Sequence, residues 1–410
     1  MPSKSALAVE PALWVSFSAA DRFRTCEQDY YYDQVEKLER KDRAVPLERG
    51  IILATYLELY YKNLQHDYSA PTAHASALVQ TMDEYRSKVG GYAVAAEAAG
   101  DLDLATELRG MLDVVPRIAE RYFETRGEQD ALTYEVLQVE CWVDAELAPD
   151  VGTRGKVDLI TRDRSNGRIS LWEHKTVGEI PALDRRLRDL QTLLYRRPAE
   201  KRYGFMVDSV TWNYLRTKEP TIPDVLKNGG LSKRKDLDTT WEVYLELIKE
   251  HELDVNDYAE ICSRLGLNRE ADAFFPRHEL PMVAREDVLL RDFTATAVHI
   301  QQRRKEWDEG GQPIRSVGYR CVRCTWRHLC TAVILGGDAE SVKLLRYKQR
   351  APSPSGNAPA EQILREEVNV HDDTSGGSLS SVDFGISFDG GSDDLDRWLA
   401  DLPAGTSQSQ

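Results

Sequence analysis

An α/β protein with a mixed central sheet flanked by helices is the fold class that this sequence predicts, and three observations predict it. A long helical stretch runs to about residue 130. Three strand-like segments then follow between residues 134 and 175. A leucine-striped helix and two further strand-like segments close the pattern, an order that suits a sheet covered by helices.

The elements can be taken in order. Val15–Tyr32 reads as a helix with Ser18 as its N-cap and aromatic residues after it. Leu47–Tyr61 has helical spacing and strong helix formers, and residues 70–130 read as further helix broken near Gly90 and Gly91. No strand is expected before this point. In Tyr134–Val143, the residues Leu137, Val139, Cys141 and Val143 alternate onto one face, the period of a strand. Arg154–Thr161 is a second strand. Ile169–Lys175 is a third, entered through the turn residues Ser165, Asn166 and Gly167. Leu183, Leu187, Leu190 and Leu194 make one stripe on a helix over Leu183–Arg197. Strand character resumes at Tyr203–Val207 and Val210–Leu215. Helix is expected again at about Thr239–Gly266 and Thr294–Trp307.

The 410 residues, 41% of them hydrophobic, suffice for a sizeable core. Residues 1–350 are expected to form one domain: a helical part over 1–130, a core over 131–220, and a helical, cysteine-bearing part over 221–350. Residues 351–410 are rich in Pro, Ser, Gly and Asp and are expected to be a disordered acidic tail. Within that tail, Asp393–Leu402 mixes acidic residues with Trp398 and leucines. It fits either a segment that folds into a protein partner's groove or a solubilising tail. No transmembrane run and no secretory leader are evident, so a cytoplasmic protein without membrane attachment is expected. The net charge of −15 argues against nucleic acid at first sight. The tail holds 11 acidic and 2 basic residues of that total, however, and the remainder is nearly balanced. Basic clusters such as Arg196–Arg197 and Lys233–Lys235 could follow a phosphate backbone, although solvated faces explain them equally well.

The chemistry concentrates in Gly155-Lys156-Val157-Asp158 and Glu173-His174-Lys175. Glu173 and Lys175 are two apart on a strand and so share a face, with Ile169 and Leu171 on the same side. A hairpin can bring Asp158 beside Glu173. Two carboxylates at one point repel unless a cation lies between them, and hard oxygen ligands suit Mg2+ or Mn2+. Lys175 beside them could orient a metal-bound water, which points to phosphodiester hydrolysis. An E-x-K triplet alone is weak, since Glu39-Arg40-Lys41 is another. An exposed salt bridge is the plain alternative, and the apolar company of the pair argues against it. Gln191 and Tyr195, four apart on the leucine-striped helix, can contact a phosphate or a bound water, although taken alone ordinary helix-edge packing is the better account of Tyr195.

This order of G-x-x-D strand, E-x-K strand and Q-x-x-x-Y helix resembles the RecB-type branch of the PD-(D/E)XK nucleases, over roughly residues 12–62, 134–215 and 315–332. The resemblance implies a restriction-endonuclease-like sheet with helical additions. It implies that Asp158, Glu173 and the main-chain carbonyl of His174 bind the catalytic metal, with Lys175, Gln191 and Tyr195 as the remaining site residues. The His174 side chain should point to the opposite face and be structural. One departure stands out. Many relatives carry a metal-binding histidine in an early helix, where this chain has Ala54, and His66 and His74 are out of register. Glu58 is a weak substitute.

Cys321, Cys324 and Cys330 form a compact triplet. Three thiolates need a fourth ligand, and either His328, which would make a zinc site, or Cys26 could supply it. The segment around Cys26 resembles the first-cysteine motif of the AddB-like and CRISPR-associated Fe–S exonucleases. That resemblance implies a 4Fe-4S cluster held by Cys26, Cys321, Cys324 and Cys330, joining the N- and C-terminal segments. Zinc and a disulfide stay open. Cys141 and Cys262 read as small buried hydrophobes. The function expected is a metal-dependent DNA exonuclease acting on ends or single strands in recombination, repair or replication. The alternative is a catalytically weakened Fe–S module that binds DNA ends.

Overall fold

The computed structural model describes residues 11–41, 45–182, 191–266, 268–281 and 286–350. The expected tail, the Asp393–Leu402 segment and the stripe residues Leu183, Leu187 and Leu190 lie outside them.

The chain opens with strand β1 (Leu13–Val15), helix α1 (Phe17–Thr25) and the short α2 (Glu27–Tyr30). Ser16, rather than Ser18, caps α1: its hydroxyl accepts from the Ala19 amide at 3.2 Å. A three-residue strand β2 (Leu38–Arg40) precedes α3 (Val45–Gln65). Helix α4 (Ala70–Ala98) runs straight through Gly90 and Gly91, so the expected break is not there. Both glycines face open space, and helix tolerates them. The chain turns ten residues later, where Gly100 takes φ +80° and Asp101 caps α5 (Leu102–Tyr122) through the Leu104 amide.

After α6 (Glu128–Thr133) come the long strands β3 (Tyr134–Ala148), β4 (Val151–Asp163) and β5 (Ile169–Val177). The turn at Ser165–Gly167 is as expected: Asp163 Oδ1 accepts from the Ser165 amide and Gly167 has φ +77°. Helix α7 (Gln191–Tyr203) continues past Pro198. The strand expected at Tyr203–Val207 is absent. Tyr203 ends α7, left-handed Gly204 (φ +74°) stops it, and Glu200 Oε1 takes the Val207 amide. Strand β6 (Ser209–Arg216) follows. The remaining elements are α8 (Trp241–Glu250), α9 (Ala259–Leu265), α10 (Glu270–Ala273), β7 (Arg277–Pro281), α11 (Glu286–Asp308), α12 (Arg327–Ile334), α13 (Ala339–Arg346) and β8 (Tyr347–Gln349).

The six-stranded sheet is mixed. β4 pairs antiparallel with β3 along one edge. Its other edge pairs with β1 (parallel, at Val151–Thr153) and with β5 (antiparallel, at Leu159–Arg162). β5 runs parallel to β6, and β7 closes the far edge antiparallel. β2 and β8 form a separate two-stranded sheet joining the two ends of the described chain. Two cores cover the sheet. Helices α3 to α5 pack on Leu159, Trp172 and Leu215 on one face. Helices α1, α7 and α11 pack on Ile160, Leu171, Trp212 and Tyr214 on the other.

The expected alternation in β3 is only partly present. Cys141 and Val143 join the second core, but Val139 packs on the first. A bulge between Val136 and Gln138 and a left-handed Glu140 (φ +50°) break the period of two. Among the described residues no helix is long and apolar enough to cross a membrane.

Candidate active site

Because β3 occupies one edge of β4 throughout, β1 and β5 must share the other. Between their contacts, residues 154–158 of β4 pair with neither. Asp158 lies at the end of that gap. The last β4–β5 pair is Leu159 with Trp172, so Asp158 and Glu173 stand one step beyond it.

Asp158 Oδ2 accepts the His174 amide at 2.7 Å. Its acidity is pushed well below that of an ordinary aspartic acid, first by burial and then by the nearby charges of Glu173 and Glu140. The His174 amide and Lys175 offset this in part. Glu173 is 3% exposed and Lys175 6%. Their side chains lie at 3.1 Å, Nζ to Oε1, and Lys175 Nζ also donates to Gln191 Oε1 at 3.3 Å. Gln191, at the start of the described part of α7, thus fixes the lysine from the far side.

Tyr195 sits one turn later on α7. Its hydroxyl accepts the Phe17 amide at 3.2 Å, which ties α7 to the first turn of α1. The hydroxyl end of its ring packs closely against β4 at Gly155. A Cβ on that glycine would stand 2.0 Å from Tyr195 Cζ. Glycine is therefore required at 155 by close approach. Burial and the neighbouring Glu173 hold the phenol protonated, and its links to Lys175 and Asp158 place it beside the acidic pair.

The His174 side chain lies on the opposite face of the sheet. Its ring stacks on Tyr61 (centroids 5.4 Å apart, 13° between planes), and Nδ1 meets Asn213 Nδ2 at 3.0 Å. Burial and the Arg277 charge push the imidazole down to about 3, so it is neutral. Beneath it runs a buried network: Asp130 holds Arg277 through both oxygens and accepts from the Tyr61 hydroxyl at 2.7 Å, while Arg277 also donates to Asn213. This network fixes the segment of β5 that carries Glu173 and Lys175.

Sequence reasoning missed Glu140. It lies opposite Asp158 in the β3–β4 register, between the pairs Val139–Leu159 and Cys141–Val157, and it pairs with Lys156 at 2.7 Å. Counting back from the turn at residues 148–151 would place Cys141 opposite Asp158; the bulge between Glu146 and Ala148 shifts the register by one and brings Glu140 there instead. Glu58, on α3, pairs with Lys62 at 2.6 Å and contributes to the field at Glu140. Ala54 lies one turn earlier on the same helix. His66 is exposed. His74 is buried between Tyr56 and Glu120, so neither histidine replaces the missing one at the site.

Among the described residues, no group of three His, Cys, Asp or Glu side chains is spaced to hold a metal ion. The donor chemistry nevertheless fits one: two buried carboxylates, each disfavouring the other's charge, gain from a cation between them.

The four cysteines gather where the two ends of the described chain meet. The Ser316 amide donates to Cys26 Sγ at 3.4 Å, and Cys321 Sγ lies 3.9 Å from the Ser316 carbonyl. Cys324 and Cys330 pack beside Trp326 and Leu329. Burial pushes the Cys324 thiol up to about 11, and Asp29, Cys330 and Cys26 add to the shift. Cys330 is raised too, by burial first, with Cys26 and Cys321 contributing. The charge contacts thus run from Cys324 to Cys330 and Cys26 and from Cys330 to Cys26 and Cys321, while His328 is exposed. The Glu27–Arg303 pair at 2.8 Å, the Trp326–Asp29 bond at 2.7 Å and the β2–β8 ladder hold the same two segments together. Cys141 is buried, with its thiol pushed up to about 12.

A family model described as the PD-(D/E)XK nuclease superfamily matches residues 14–331, from β1 to α12. No curated protein matches the chain.

Proposed function

The chain belongs to the PD-(D/E)XK nuclease superfamily, and from that premise we propose that it is a divalent-metal-dependent deoxyribonuclease working on DNA ends or single strands. The observation that carries this is the buried Glu173–Lys175 pair beside Asp158, with Gln191 on the lysine. Asp158, Glu173 and the main-chain carbonyl of His174 would hold Mg2+ or Mn2+. When bound, such an ion polarises the scissile phosphate and acidifies a coordinated water.

The chain's own residues do the rest. The His174 amide orients the Asp158 carboxylate, and the network around Tyr61, Asn213 and Arg277 holds β5 in register with it. Lys175, steadied by Glu173 and Gln191, brings a positive charge to the developing negative charge on phosphate and can move a proton at Nζ. Tyr195 keeps α7 against β4, so that Gln191 stays on Lys175. In the same proposal Cys26, Cys321, Cys324 and Cys330 hold a 4Fe-4S cluster. Joining residues so distant in sequence closes a very long loop and removes unfolded-state entropy. Trimming of ends would suit recombination, repair or replication. The resemblance of both motif sets to Fe–S exonucleases supports that assignment.

The test is anaerobic purification, followed by incubation with end-labelled DNA with and without Mn2+. Progressive shortening that needs Mn2+ and stops with EDTA is expected. Ala54, at the position where relatives carry a histidine, favours a second reading as a DNA-end-binding module. Binding of the same DNA with no shortening at saturating Mn2+ would select that reading and reject the enzyme.

A further inference from the structure

Glu140 belongs to none of the motifs above, yet it occupies the most unusual backbone position near the site. It is a glutamate with φ +50° in the middle of a fifteen-residue strand. A non-glycine residue adopts that region only where its surroundings over-determine it. Both strands lose their alternation at this point: Val139 and Leu159 join one core, while Cys141, two residues later on β3, and Val157, two residues earlier on β4, join the other. The irregularity therefore places Glu140 and its neighbour Asp158 where the pleat reverses.

The carboxylate this exposes to β4 is used. Glu140 Oε2 lies 2.7 Å from Lys156 Nζ, with the glutamate side chain 12% exposed and the lysine 24%. The Trp142 ring lies 6.0 Å from the same ammonium. Lys156 is two residues from Asp158 on β4, and the two charges interact. A lysine released from Glu140 would find a buried carboxylate, Asp158, within reach of its flexible stem. An ammonium there would compete directly with a divalent ion.

We propose that Glu140 is a positioning residue: it holds the Lys156 ammonium off Asp158 and so keeps that carboxylate available to a cation. The proposal rests on the nuclease reading only in taking Asp158 as a cation ligand.

The test is calorimetric titration of Mn2+ alone into the full chain, in wild type, Glu140→Gln, Lys156→Met and the double variant. Glu140→Gln should weaken Mn2+ binding about tenfold, the size of one added charge contact in a half-screened site. Lys156→Met should bind at least as tightly as wild type. The double variant should return to within about threefold of Lys156→Met, because no ammonium is left to collapse. Equal affinity in wild type and Glu140→Gln would overturn the proposal. So would an undiminished loss in the double variant, which would mean that the glutamate supports the fold or touches the ion itself. Wild-type protein that binds no Mn2+ would instead overturn the nuclease reading beneath it.

Discussion

The packing of Tyr195 on Gly155 makes a quantitative prediction for Gly155→Ala. The new methyl would sit 2.0 Å from Cζ, 2.2 Å from the hydroxyl oxygen and 2.5 Å from Cε1. Carbon atoms rest at about 3.5–4.0 Å, so the ring must retreat by about 1.5 Å. The hydroxyl is 3.2 Å from the Phe17 amide, and that retreat takes it out of hydrogen-bonding range. Overpacking costs about 1–3 kcal/mol, and the lost bond between buried groups about 1 kcal/mol more. The sum, about 2–4 kcal/mol, should lower Tm by roughly 4–8 °C in a chain of this size. Urea denaturation of wild type, Gly155→Ala, Tyr195→Ala and the double variant reads it. Once the ring is gone, Gly155→Ala should cost less than about 0.5 kcal/mol. An equal cost in both backgrounds would refute the steric argument.

Three further outcomes are expected. His174 takes a proton near pH 6.5 when unfolded and only at about 3 when folded. The unfolded chain therefore binds more protons between those values, so stability is full above pH 6.5 and falls as the pH drops, by about 1.4 kcal/mol per unit. Urea melts in EDTA from pH 7 to pH 4 should show that slope reduced in His174→Phe; an unchanged slope would place the acid sensitivity elsewhere. Asp130→Ala strands the buried Arg277 charge and removes the acceptor of the Tyr61 hydroxyl. It should cost about 3–5 kcal/mol, and a loss under 1 kcal/mol by thermal melting would contradict the network's role. Cys321→Ser should abolish bound iron and acid-labile sulfide and lower Tm. Stoichiometric zinc in the wild-type protein would reject the Fe–S assignment.

Much of the candidate site is legible in the sequence because residue type and period act locally. The E-x-K face, the G-x-x-D strand and the Q-x-x-x-Y pair announce themselves within a few residues, and the structure brings Asp158, Glu173, Lys175 and Gln191 together. What was hidden is set by tertiary contact. β1 is only three residues long and exists because β4 offers its edge. Tyr195 finds Phe17, 178 positions away, through the docking of α1. Gly90 and Gly91 looked like a break, but α4 keeps its packing on either side of them through Val89 and Ala93. Ala54 and Glu58 stand out in the pattern of α3, whereas Glu140 does not stand out in that of β3. A glutamate in a strand pattern gives no sign of a left-handed backbone, and its importance comes from the residue across the ladder.

The most direct test is diffraction from crystals grown with Mn2+, recorded to show the anomalous signal of the ion. A peak within about 2.0–2.4 Å of carboxylate oxygens of both Asp158 and Glu173 is the result expected for a hard cation in an oxygen site. A fully occupied peak bound elsewhere, or no peak between these carboxylates at saturating Mn2+, would contradict the proposed active site.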